Sequence, residues 1–132
     1  MKSTLATVLT LGALGAAGLS LAPAAAASGG GGHGVRTSGS CSAGAHWTLK
    51  AKHDDGVIEV EGQVDSNRAG QNWRWSITDN GHRVKLGPAR TAGASGSFSI
   101  ERRIADRAGT DRIVFRAKRP ATGQLCQGVV SL

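Results

Sequence analysis

Two pairs of carboxylates raise the question of chemistry: Asp54 beside Asp55, and Glu59 two residues before Glu61. Paired carboxylates are the equipment of acid–base hydrolysis, one donating a proton while the other activates water. His53 precedes the first pair, so His53-Asp54-Asp55 also offers three potential metal ligands in a row. Neither pattern goes further. Asp54-Asp55-Gly56 lacks the alternate ligand positions and the distal Glu of a calcium loop, and reads as a turn. Glu59 and Glu61 share one parity of an alternating segment, which is the solvated face of a strand. A nucleophilic triad needs Ser or Cys, a base and an orienter. Serines and four histidines are present, but no Gly-x-Ser-x-Gly elbow is, and Gly93-Ala94-Ser95-Gly96 lacks its spacing. There is no phosphate loop and no dinucleotide fingerprint. The expectation is a protein that is not an enzyme, with no catalytic residues, no metal ligands and no cofactor.

The elements that would position any site begin well after the N-terminus. MKSTLATVLTLGALGAAGLSLAPAAAA, residues 1–27, has one early cation, Lys2, then an uncharged run ending in small residues after Pro23. That is the layout of a secretory signal peptide, with cleavage expected in Ala24 to Ala27 and Ser28 as first mature residue. A retained membrane anchor would want roughly 20 solidly apolar residues, and Thr7, Thr10, Gly12, Gly15, Gly18 and Ser20 interrupt this run. Residues 28–40, SGGGGHGVRTSGS, read as a flexible Gly/Ser-rich linker, with His33 an isolated weak ligand. Residues 41–132 are the size of one domain. Both cysteines, Cys41 and Cys126, lie in the exported part, where a disulfide forms and persists. The bridge would close a long loop and stabilise by about 4–5 kcal/mol in the chain-entropy model. It would staple the two ends of the domain together.

From Cys41 onward apolar residues recur with period two between turn signals. The predicted strands are 46–52, 57–64, 73–79, 82–87, 97–104, 112–118 and 125–132, with no helix. Asn80-Gly81 between two of them is a strong hairpin signal. Lys50 and Lys52 face Glu59 and Glu61 across the first hairpin. Arg102 breaks the parity of its segment, which predicts a strand end or a bulge there. The fold class is all-β: an antiparallel β-sandwich of about seven strands, immunoglobulin-like or fibronectin type III-like, with a small β-barrel as the alternative.

In a fibronectin type III-like arrangement the first, second and fifth strands form one sheet and the other four form the second. The outward residues of the first sheet then sum to zero charge. Those of the second are Arg74, Arg83, Lys85, Arg112, Arg116 and Lys118, with no acid among them. Without Lys2 the chain has 15 Lys and Arg against 9 Asp and Glu, a net of +6, so the surplus lies mainly on this face. Such a face attracts polyanions over a Debye length and is screened by salt. In Gln71-Asn72-Trp73-Arg74-Trp75-Ser76-Ile77, the parity puts Trp73, Trp75 and Ile77 inward with Val84 and Leu86 of the next strand, and leaves Arg74 outside.

CSAGAHWTLKAKHDDGVIEVEGQVDSNRAGQNWRWSITDNG, GSFSIERRIADRAGTDRI and TGQLCQGVV together resemble a group of small secreted proteins of actinomycetes of the Streptomyces type. The resemblance covers most of residues 41–132. It implies secretion and a compact β domain, and carries over no activity and no site residues. The chromoprotein-antibiotic carriers and the subtilisin-inhibitor family do not match, because both have two disulfides. The expected partners are anionic cell-envelope or matrix polymers, at an extracellular or wall-associated location. An inhibitor or ligand of an extracellular protein, using loops 65–72 and 87–96, is the alternative, and a small hydrolase ranks last. No sequence-specific nucleic acid, no membrane anchor after cleavage and a monomer complete the expectation.

Overall fold

Apolar residues at every second position can be buried together only on extended backbone, and eight segments of this chain adopt it. The structure, a computed structural model, describes residues 34–132. The expected signal peptide, and the linker as far as His33, lie outside the described residues. The strands are β1 (Val35–Ser40), β2 (His46–Asp54), β3 (Val57–Asp65), β4 (Asn72–Asp79), β5 (His82–Arg90), β6 (Ser97–Ala105), β7 (Arg112–Arg119) and β8 (Gln124–Ser131). Two antiparallel sheets, in the orders β1-β2-β3-β6 and β5-β4-β7-β8, form a sandwich and not a closed barrel. Apart from β1, this is the sheet assignment expected for a fibronectin type III-like chain.

The eighth strand corrects the linker. Val35–Ser40 pairs with β2 along its whole length, from Val35 opposite Ala51 to Ser40 opposite His46. VRTSGS has no apolar alternation because it is a mostly exposed edge and takes its order from the main chain of β2. Arg102 is a second correction. β6 neither ends nor bulges there but stays in register with β3 from Ser97 to Ala105.

The inward residues Leu49, Ile58, Val60, Val64, Trp73, Ile77, Ile113 and Phe115 are fully buried between the sheets. Close packing explains one glycine in the middle of a strand. A Cβ on Gly62 of β3 would lie 2.6 Å from the Phe115 ring of the facing sheet. The β4–β5 turn behaves as its sequence requires, with Asn80 at φ 50° and Gly81 at φ 86°.

Cys41, just past β1, is bonded to Cys126 of β8, so the bridge ties the leading edge of one sheet to the last strand of the other. Hydrogen bonds surround it. Leu125 N donates to Ser42 Oγ at 2.9 Å, and Gln124 Nε2 donates to Ser42 O at 2.8 Å. Among the described residues, no helix is long and apolar enough to cross a membrane.

Candidate polyanion-binding site

Residues directly opposite on paired strands share a face. On the outer face of the second sheet one row runs Pro88, Arg74, Lys118, Leu125, and the next runs Leu86, Ser76, Arg116, Gln127. Arg83, opposite Thr78, stands in the row after that. Arg74, Arg83, Arg116 and Lys118 line an open groove of about 250 Å³ together with Ser76, Leu86 and Gly87. Four of the six expected cations therefore converge.

The other two do not. The pairing of β4 with β5 slips between Ile77 and Thr78: Ile77 opposes Lys85 while Thr78 opposes Arg83, and Val84 is the extra residue. A slip of one residue exchanges the faces of a strand. Lys85 therefore shares the inward face of Ile77 and stays exposed only because β5 is an edge. Leu86, expected inside, points outward and is 61% exposed. Arg112 keeps the outer face but stands four residues from Arg116 on β7, about 13 Å along the strand. One cation escaped the sequence reading. β5 runs on to Arg90, which opposes Asn72 on the outer face. The segment 87–90 contains Gly and Pro, which read as loop.

No acid interrupts this face. Among the described residues the ion pairs are Lys52–Glu59, His53–Asp106, Arg103–Asp54 and Arg107–Asp79, and none uses a cation of the groove. Arg74 directly opposes Lys118, and like charges so placed destabilise a strand pair. An anion lying in the groove would relieve that repulsion. The two rows are about 6.7 Å apart along the strands, so a ligand with repeated charges would meet both.

The tryptophans beneath are structural. Trp73 is 1% exposed and Trp75 3%. Trp73 Nε1 donates to Gln71 Oε1 at 3.3 Å, and its ring lies 6.1 Å from that of Phe98. Trp75 Nε1 donates to Pro88 O at 3.3 Å, and the Arg102 guanidinium sits 4.8 Å over its ring. Arg102 thus keeps the inward parity of β6 and is accommodated as a cation on an aromatic face at the sandwich edge.

The first sheet presents mixed charge. Lys50 opposes Glu61, and Lys52 opposes Glu59 at 3.5 Å, as the hairpin predicts. Glu59 finds its carboxylate neighbour in Glu101 of β6, not in Glu61. The hydrogen bond between the two carboxyls raises Glu101 and lowers Glu59, and Lys52 and Arg103 lower Glu59 further. Asp55, at φ 48°, belongs to the β2–β3 turn, but Asp54, expected there too, is the last residue of β2, where it opposes Val57 and pairs with Arg103 at 3.1 Å. A second cavity, about 500 Å³, opens at the β4-start end of the sandwich, with Ser66, Arg68, Gln71, Arg119, Thr122 and Gln124 in its lining. Its lining holds no His, Asp or Glu, so Ser66 has no general base there. Among the described residues no group of three or more His, Cys, Asp or Glu is arranged to hold a metal ion.

No family model matches the sequence, and neither the curated proteins nor the solved structures yield a match.

Proposed function

We propose that this protein is an exported, non-catalytic module that holds anionic polymers of the cell envelope or matrix, teichoic-acid-type polyphosphates among them, on the outer face of its second sheet. The observation that carries this reading is the convergence of Arg74, Arg83, Arg116 and Lys118 on one groove, on a face without acids. Export is supported by the N-terminal sequence and by a disulfide suited to an oxidising compartment. The test is retention on isolated cell envelopes across a salt series. Retention should weaken with salt and should be lost when the four cations are replaced by Gln. Salt-independent retention, or retention by the fourfold variant, overturns the reading.

A second reading has its own observation. The loops 66–71 and 91–96, shorter than the expected 65–72 and 87–96, the second because β5 runs on to Arg90, are stitched together: Gly70 N donates to Thr91 O at 2.7 Å, Thr91 N to Gln71 O at 2.9 Å, and Ser66 N to Gly96 O at 2.9 Å. Thr91 Oγ1 adds a bond to Arg68 O at 2.5 Å. A preorganised loop pair loses little entropy on binding, as an inhibitor of an extracellular protein would require. A pull-down from culture supernatant that recovers no stoichiometric partner counts against it.

A further inference from the structure

At the opposite end of the sandwich two acids are buried where nothing on the outer face reaches them. Asp79 closes β4 and is 1% exposed; Asp111 leads into β7 and is 0% exposed. None of their four carboxyl oxygens has a hydrogen-bond partner among the described residues. Among the described residues the one ion pair either makes is long: Arg107 Nε lies 3.9 Å from Asp79 Oδ2, and the Arg107 side chain is mostly in solvent. Two buried carboxylates side by side cannot both remain ionised without compensation. A proton on one of them is the donor the site lacks, because a carboxylic acid can donate to a neighbouring carboxylate.

We propose that Asp79 and Asp111 share one proton, and that the resulting carboxyl–carboxylate pair is a pH-sensitive latch closing this end of the sandwich. The main chain shows what the latch holds. Asp111 exchanges two hydrogen bonds with Leu132, at 2.9 and 3.0 Å. Arg112 N donates to Asn80 Oδ1 at 2.8 Å, and Asn80 N donates to Arg112 O at 2.9 Å. The β4–β5 turn, the entry to β7 and the end of β8 therefore meet at the acid pair. The charged and titratable groups around it come from three further elements. Asp106 and Arg107 lie on the β6–β7 loop, His53 at the end of β2 contacts Asp106 at 2.8 Å, and His82 of β5 opposes Asp79. Burial, then the neighbouring carboxyl of Asp79, then that of Asp106, push Asp111 above its ordinary value of 3.8.

The sign follows from linkage. A group whose folded pKa is raised supplies stability that is complete in acid and is lost as pH rises through the folded value. The latch is therefore closed in acid and released as the pair loses its proton.

The test compares thermal unfolding of the wild type and Asp111→Asn from pH 4.5 to 8. The amide keeps the shape and can donate to Asp79 but cannot ionise. The wild-type Tm should fall relative to the variant by about 5 °C or more per pH unit once the shared proton is being lost. A histidine changes charge in this range, so the comparison is repeated in the His53→Gln background. A constant Tm difference across the range overturns the proposal. If the variant does not fold, carboxyl carbon NMR titration of the wild type decides. One of the two acids should titrate well above the ordinary range, and two ordinary titrations refute the latch. Millimolar calcium that raises Tm at pH 7.5 in the wild type but not in Asp111→Asn also refutes it, since the pair would then hold a cation.

Discussion

Replacing Arg116 with Gln and, separately, Lys85 with Gln separates the structure from its own sequence pattern. Both residues sit on alternating strands of one sheet, and period two alone puts both on the basic face. The bulge at Val84 moves Lys85 to the other side, whereas Arg116 lines the groove with three other cations. For a single-stranded polyanion each neutralised charge contributes about 0.7 to the slope of log K against log salt. Four groove cations give a slope of about −2.8, so affinity should drop about 50-fold between 50 and 200 mM salt. Arg116→Gln leaves three cations and a slope of about −2.1, a drop of about 20-fold over the same range. Lys85→Gln should keep the wild-type slope, and Arg112→Gln, about 13 Å away, should stay close to it. Fluorescence anisotropy with a labelled linear polyphosphate at four salt concentrations measures each slope. Equal slopes for Arg116→Gln and Lys85→Gln would refute the groove, because only net charge would then matter.

Three further outcomes follow from the packing. Replacing Cys41 and Cys126 with Ser opens a loop spanning 85 residues and should destabilise by about 4–5 kcal/mol, read from denaturant unfolding with and without reductant. Equal stability of the reduced wild type and the oxidised wild type would show that the bridge does not constrain the unfolded chain. Gly62→Ala forces a methyl to 2.6 Å from Phe115 and should cost about 1–3 kcal/mol; a stabilised variant would mean that the ring moves aside freely. Leu86→Ser should change stability by no more than about 0.5 kcal/mol because the side chain is outside, and a loss above about 2 kcal/mol would place it back in the core.

What the sequence discloses and what it hides divide along the same physical line. Strands whose inward residues are apolar announce themselves: Trp73, Trp75 and Ile77 alternate because the core selects them, and the structure buries all three. β1 has one such residue, Val35 opposite Ala51, and Thr37 and Gly39 follow it on that face, so VRTSGS looks like the glycine-rich run before it. The bulge on β5 leaves no mark either: Val84-Lys85-Leu86 alternates as an unbroken strand with both apolar residues inward, and only the register with β4 turns Leu86 outward. Asp79 and Asp111 stand out once parity is applied to them. Asp79 continues the inward series of Trp73, Trp75 and Ile77, and Asp111 precedes that of Ile113, Phe115 and Ala117. An acid at an inward position is a mismatch between residue type and place, and both mismatches fall at the same end of the sandwich. Their meeting depends on two strands 32 residues apart in the chain, which alternation within either strand does not record.

The bond between Cys41 and Cys126 also decides how the domain answers a pull. Tension applied at its two ends would pass from β1 through the sulfur bridge to the last residues of β8. The 85-residue separation between the cysteines represents about 290 Å of contour length that force alone does not release. Only β1 and the short segment after Cys126 could be peeled away. A domain pulled between its two ends would thus extend little under load. Its strands would stay folded, and a reducing agent, not stretching, would be what makes the chain yield.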